Sequence, residues 1–464
     1  SGGLAAANSS PATVRSTGPS LATVTVSKPI DSTARCQCPV TTDTPSVRPS
    51  RNDTKAQTAM SSTMPDPESD ITIETITSSV GRLMDDAWVD HGYTAPNTKV
   101  YPWLWLWDSC FHTLIWADLD RPDRAVAELG CVLELQDGAG FVPHMGYQLD
   151  PQVPVDLWGR AGSSSITQPP MYGHAVAELR RRGIDVPDEL AERAHAGLQF
   201  LVRDRARDPE SGLITVVHPW ETGCDDSPRW DHYCPGSGFD LDVWRRHKID
   251  LLTSLEFGPT GGPLANPAFG AASVSFNALT VWNARELASV TGDDELLADV
   301  DALVPLIEDR WDADLATWVD AGPGASTSGR IRTADPLCAL LVVDDTDQRA
   351  TAVASLADSA DHGGAFGPRG VHPTEPMYDP SSYWRGPVWP QLAYVLWRAL
   401  DRGPAETEVG EELRGRTIAG AVRSGFAEYW DGDSAVGGGA TPQSWTGLAL
   451  VLAKTRTTSP SSSG

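Results

Sequence analysis

The sequence predicts an all-α fold, a toroid of helical hairpins, from three observations. Apolar residues recur at three-to-four spacing from Ile71 onward, the period of helices with one buried face. Short clusters of Gly, Pro and Asp separate these stretches, pairing helices about every 40 residues. Strand-like alternation is sparse, with Leu213–Val217 and Ala339–Val343 the better candidates. Successive hairpins of this kind either close into an α/α toroid or run on as a solenoid, and periodicity alone allows both.

The elements follow in chain order. Residues 110–135 carry Phe111, Leu114, Ile115, Ala125, Leu129 and Leu133 on one helical face. Residues 168–183 open with Pro169 and Pro170 after Thr167, a helix entry that uses the fixed φ of proline. Further helices are expected near 187–206, 275–291, 293–311, 348–358, 388–401, 407–430 and 444–454. Gly437-Gly-Gly439 lacks the Lys of a phosphate loop and reads as a turn before the last helix.

Residues 1–63 differ from the rest. They are rich in Ser, Thr, Pro and Ala, contain none of the 17 tryptophans, and carry a net charge of +3. Such a segment buries too little apolar surface to offset its chain entropy. It is expected to be a disordered tail, or else non-native upstream translated sequence with the biological start at Met60 or Met64. Residues 64–455 are expected to form one catalytic domain, and 456–464 a second disordered tail.

Composition narrows the function. A formal charge of -26 over 464 residues repels phosphate backbones, which argues against a nucleic-acid partner. No run of about 18 apolar residues marks a membrane span, and no basic patch leads into an apolar secretory stretch. Of the 36 basic residues only five are lysine. Abundant acid with scarce Lys suits a protein kept soluble in molar salt, or follows from Arg-favouring codon bias. The seven cysteines are odd in number and far apart, with no paired CxxC elements. Reduced thiols in a cytoplasm are expected, and no structural zinc. Cys224 reads as a small packing residue. His112, His144, His218 and His372 show no metal spacing and read as structural hydrogen-bonders. Neither a metal nor a cofactor is expected, and the oligomeric state is open.

Four stretches place tryptophan beside carboxylates in connecting segments: 101–108 (YPWLWLWD), 218–231 (HPWETGCDDSPRWD), 382–390 (SYWRGPVWP) and 426–431 (FAEYWD). Flat indole rings stack on the C–H faces of sugars while carboxylates and Arg bond the hydroxyls. A single Trp of this kind is core; several clusters beside acids favour a small carbohydrate ligand.

The 218–231 stretch resembles the Glu-(Ser/Thr)-Gly-x-Asp-Asn-Ser-Pro-Arg-(Trp/Phe) signature of glycoside hydrolase family 63, in particular its bacterial mannosylglycerate and glucosylglycerate hydrolases. The segments Trp105-Leu-Trp-Asp-Ser109, Ile166-Thr-Gln-Pro-Pro-Met171, Tyr383-Trp-Arg-Gly-Pro-Val-Trp-Pro390 and Glu428-Tyr-Trp-Asp431 match in order. The resemblance spans roughly residues 80–455. It implies an (α/α)6 barrel with the site in loops at one mouth and hydrolysis with inversion. The general acid falls on Asp225 and the general base on Glu428. Substrate-binding roles fall on Trp105, Trp107, Asp108, Gln168, Trp220, Glu221, Arg229, Trp230, Tyr383, Trp384, Arg385, Gly386, Trp389, Gln443 and Trp445, with Gln443 near the leaving group. Glu221 is either a ligand or a hydrogen-bonding scaffold. Asp226 stands where Asn is commoner; it either raises the pKa of its neighbour by like-charge repulsion or faces solvent.

The implied substrate is a small α-linked glycoside such as mannosylglycerate or glucosylglycerate. A neutral oligosaccharide, as for an α-glucosidase or trehalase, is the alternative, and a sugar 2-epimerase shares the barrel but works through His. Inversion requires a protonated and an ionised carboxyl on opposite faces of the sugar, about 6.5–9.5 Å apart. A glycerate leaving group requires a local cation. Arg229 and Arg385 are expected to hold the catalytic carboxylates and the sugar, which leaves Arg245, Arg246 or the vicinity of Arg160 for the glycerate.

Overall fold

The computed structural model describes residues 71–323, 325, 327 and 329–454. The expected tails at 1–63 and 456–464 lie outside the described residues. The major helices are α1 (Ile73–Ala87), α2 (Leu106–Asp118), α3 (Pro122–Glu134), α4 (Tyr172–Arg181), α5 (Asp188–Gln199), α6 (Leu241–Leu251), α7 (Val274–Thr291), α8 (Asp294–Asp301), α9 (Thr346–Ala357), α10 (Pro390–Arg398), α11 (Pro404–Arg423) and α12 (Leu448–Lys454).

Their starts follow local chemistry. Thr72 caps α1, Asp240 caps α6 and Ser273 caps α7, each side-chain oxygen accepting from an otherwise orphaned N–H. Proline occupies the first turn of α3, α10 and α11, where no N–H is needed.

Packing decides between toroid and solenoid. α2 packs on α4, α4 on α7, α7 on a 3₁₀ segment at Asp335–Leu341, that segment on α10, α10 on α12, and α12 back on α2. The inner ring therefore closes with six members. α3, α5, α8, α9, α11 and α1 pack outside it. This is an (α/α)6 barrel. The inner position explains α2, in which every residue from Leu106 to Trp116 is buried, the polar Asp108, Ser109, His112 and Thr113 among them, since neighbours enclose an inner helix on all sides.

Several expectations need correction. The 110–135 stretch is two helices, broken at Leu119–Arg121 with Asp120 at φ 57° and Pro122 starting the second. Ala339–Val343 is no strand; its first residues end the 3₁₀ member of the inner ring. A short, fully buried apolar run reads alike in either state. Leu213–Val217 is extended but makes only isolated bridges, Arg207 to Ile214 and Val216 to Ala271. The helix expected to reach 430 stops at Arg423, followed by Gly425 and Phe426 at positive φ. Gly437 and Gly438 are not a free turn, because they pair antiparallel with Tyr429 and Trp430. All described strands lie in two-stranded sheets outside the helices. No helix among the described residues is long and apolar enough to cross a membrane.

Candidate active site

Asp225 sits in the loop after a 3₁₀ turn at Pro219–Thr222. Gly223 ends that turn at φ 74°, and a Cβ there would strike the Trp107 ring. Glycine thus lets the Asp225 loop lie against the aromatic wall. Trp244 fixes the loop by donating its indole N–H to the Asp225 carbonyl at 3.1 Å. Three polar contacts tie down the two adjacent carboxylates. Lys248 Nζ stands 2.6 Å from Asp225 Oδ2 and 2.6 Å from Asp226 Oδ1, and Trp220 Nε1 donates to Asp225 Oδ2 at 3.2 Å. Burial raises the Asp225 carboxyl above its ordinary range; Lys248 opposes that shift and Asp226 adds to it. Asp226 does not face solvent, since its side chain is 4% exposed against 17% for Asp225.

Glu428 lies directly before the Tyr429–Gly438 hairpin, buried at 2% exposure. Its Oε2 accepts from Ala440 N at 2.7 Å. Its Oε1 accepts from the hydroxyls of Tyr383 at 3.2 Å and Tyr101 at 3.3 Å. Burial pushes the carboxyl up to about 7; these three donors pull it back only in part, and the charge of Asp225 raises it further. Gly439, at φ 71°, leaves room for the carboxyl, because a Cβ there would collide with it. The charge of Asp225 also acts on Tyr101 and Tyr383, so acid loop and hairpin face one space.

The walls of that space are aromatic. Trp384 and Trp389 stack at 3.6 Å with planes 5° apart, and Tyr383 and Tyr429 pack on Trp389. Trp107 meets Trp445 edge-on, and Trp105 meets Tyr101 and His144. Trp384 holds φ 59°, a costly conformation for a bulky residue and one that concentrates at functional sites. The buried indole N–H groups of Trp105, Trp384 and Trp389, and the Gln443 amide oxygen, have no partner. Asp108 lies at the start of α2, its carboxyl pushed well up by burial and by the charge of Glu428. Gln168 holds this corner by accepting from Trp107 N at 3.3 Å.

Other expected sugar ligands are scaffold. Glu221 is wholly buried and saturated by Arg205, Thr167 N and Val217 N, leaving no lone pair for a sugar. Arg229 is clamped between Asp320 and Asp335. Trp230 is 1% exposed and donates to the Cys224 carbonyl. Arg385 pairs both terminal nitrogens with Asp231 and touches only the backbone carbonyl of Asp226. Gly386 is needed because a Cβ would lie 2.6 Å from the Asp379 carbonyl. Trp445 braces the Glu428 backbone by donating to its carbonyl at 3.0 Å.

Sequence reasoning missed Lys248, Tyr101 and Trp244. Tyr101 opens the quoted aromatic stretch, and Lys248 is one of only five lysines. Of the candidate arginines, Arg245 leans toward Asp242 at 3.7 Å, Arg246 is exposed, and Arg160 lies over the Phe141 ring.

The four histidines weighed above are held in hydrogen bonds, for example His144 to Ser164 at 2.6 Å and His218 to the Lys248 carbonyl at 2.7 Å. His174, Glu178 and Glu286 bring ligand-type atoms together. There both His174 nitrogens are already bonded, to Glu286 and Tyr394, and Arg181 and Arg398 pair the carboxylates. That group is an ion-pair network rather than a cation site.

A family profile described as the mannosylglycerate hydrolase MGH1-like glycoside hydrolase domain matches residues 101–446. The mannosylglycerate hydrolase of Thermus thermophilus is 30% identical over 409 residues, covering 78% of this chain and 97% of its own. The glucosylglycerate hydrolase of Mycolicibacterium hassiacum is 28% identical over 434 residues, covering 77% and 93%. A crystal structure of a family 63 mannosylglycerate hydrolase from Thermus thermophilus, in complex with Tris, superposes with a TM-score of 0.67 at 25% identity. It covers 82% of this chain and all of that one.

Proposed function

The chain belongs to the MGH1-like mannosylglycerate hydrolases of glycoside hydrolase family 63 and is a glycoside hydrolase, and from that premise we propose that it inverts the anomeric centre of a small α-linked glycoside of glycerate. Asp225 donates a proton to the glycosidic oxygen. Glu428 takes a proton from the water that attacks the opposite face of the sugar. Trp105, Trp384 and Trp389 bind sugar hydroxyls, Gln443 bonds the leaving group, Trp107 and Trp220 offer ring faces, and Asp108 bonds the sugar in the cleaved subsite.

The observation that carries this reading is the coincidence of two raised carboxyls with unpartnered buried indole N–H groups in one aromatic space. Buried polar atoms without partners are rare, and sugar hydroxyls would satisfy them. The five cysteines of the described domain are buried free thiols, which supports a reducing compartment such as the cytoplasm. Product analysis over a panel of α-glycosides tests the reading. Release of free hexose from mannosylglycerate or glucosylglycerate is expected. Turnover confined to trehalose or malto-oligosaccharides would replace the glycerate substrate with a neutral one.

A further inference from the structure

A glycoside of glycerate brings a carboxylate into a chain of net charge -26, so its leaving group requires a cation beside the acid. The site arginines are already committed: Arg229 to Asp320 and Asp335, Arg385 to Asp231. Lys248 is different. Its ammonium touches the acid itself, 2.6 Å from Asp225 Oδ2, and lies 5.6 Å from the Trp220 ring centre. α6 buries Trp244, Lys248 and Leu251 on one face, so the lysine is built into the wall.

This ligand-free pairing conflicts with acid catalysis. A lysine donating to Asp225 favours the ionised carboxylate, whereas a general acid must carry a proton. A second acceptor must therefore take Lys248 over. In a glycoside linked through the hydroxyl next to the glycerate carboxylate, the carboxyl carbon lies two bonds from the glycosidic oxygen. An acid within reach of that oxygen therefore places the substrate carboxylate within reach of its own lysine.

We propose that Lys248 is the cation that reads the charge of the leaving group, and that the substrate carboxylate replaces Asp225 as its partner. This rests on the glycerate reading above. The charge around Lys248 is unchanged by the exchange: it faces Asp225 and Asp226 before, and Asp226 and the substrate carboxylate after. Asp225 takes one proton from solvent on binding. That proton passes to the glycosidic oxygen as the bond from the sugar to that oxygen breaks, and glycerate leaves with it as a hydroxyl. The attacking water gives its hydroxide to the anomeric carbon and its other proton to Glu428. A neutral leaving group offers Lys248 no new partner and leaves it on the acid.

The titratable groups around Asp225 are Asp226 and Cys224 in its own loop, and Lys248 on α6. His218 lies behind Lys248, and Tyr101, Tyr383 and Glu428 lie across the space. Burial keeps His218 neutral by pushing it down to about 3, and raises both tyrosines and Cys224. Glu428 is the group that could mimic the signal, so it is removed in a control.

Calorimetry of D-glycerate binding to the full chain, at one pH in two buffers of different ionisation enthalpy, counts the protons. Wild type and Glu428→Gln should each take up close to one proton per glycerate bound. The charge-neutral double variant Lys248→Met/Asp226→Asn should take up none. Its kcat/KM preference for a glycerate glycoside over the glycerol analogue should fall about tenfold or more, the effect of losing one charged hydrogen bond. Glycerate binding by wild type without proton uptake overturns the assignment whether or not the double variant folds. So does an unchanged preference in a folded double variant. A protein that cleaves only neutral α-glycosides overturns the glycerate reading and this assignment together. One that cleaves glycerate glycosides but fails either measurement overturns this assignment alone.

Discussion

The hydroxyl of Tyr101 lies 3.3 Å from Oε1 of Glu428, across 327 positions of sequence. Ring closure explains the meeting. Tyr101 precedes α2, Glu428 precedes α12, and α12 packs back on α2, so the first and last inner helices deliver their loops to one mouth. Even with both tyrosines and the Ala440 N–H on its oxygens, burial holds the Glu428 carboxyl near 7.

The first prediction follows from that value. A base must be ionised, so kcat/KM should climb with pH through about 7 on its acidic limb. Stability runs the other way. The folded value lies above the ordinary 4.5, so the stability tied to the proton is fully present below 4.5 and is lost as pH rises through 7. Glu428→Gln should cut kcat by orders of magnitude. It should also remove a cost of roughly 3 kcal/mol above pH 7, raising Tm there by several degrees and leaving it unchanged near pH 4.5. The amide can still accept from Ala440 N and donate to the tyrosine oxygens. Calorimetric melting at the two pH values checks this; no pH-dependent difference would contradict it.

Asp226→Asn should move the alkaline limb of kcat/KM to lower pH and leave substantial activity below it. Removing the like charge leaves Lys248 with Asp225 alone, which favours the ionised acid. A pH–rate profile shows the shift. Loss at every pH, as severe as in Asp225→Asn, would transfer the acid role to Asp226.

Glu221→Gln should damage the fold rather than the chemistry. It strips half the charge balance from the fully buried Arg205 pair, a loss of about 3–5 kcal/mol. Denaturant titration should show that drop while the folded fraction keeps its KM. A raised KM in a stable variant would return Glu221 to the sugar.

Salt should stabilise the protein. Residues beyond 63 carry a net charge of -29, which repels itself when unscreened. Activity and Tm are expected to rise from dilute buffer toward molar KCl. Full stability in dilute buffer would favour codon bias as the origin of the composition.

The sequence made ring members legible where the helix was periodic, as in α4 and α10. It failed where a run was apolar throughout, as at Ala339–Val343, because burial on all sides erases the period that separates helix from strand. Motif context brought out Asp225 and Glu428. It also grouped Glu221, Arg229 and Trp230 with the sugar ligands, since residues that brace a site recur in the same motifs as those that line it. What separates them is saturation of their polar atoms, which only tertiary structure shows. Lys248 was invisible for a related reason: nothing in residues 241–251 marks which of four basic side chains turns inward.

The most direct test of the account is the anomer released first. Proton NMR of an α-linked glycerate glycoside under hydrolysis, read before mutarotation sets in, distinguishes the outcomes. With Asp225 as acid and Glu428 directing water to the opposite face, the β-hexose must appear first and the α-anomer only later. Initial release of the α-hexose would contradict inversion and the role of Glu428 as the base that activates water.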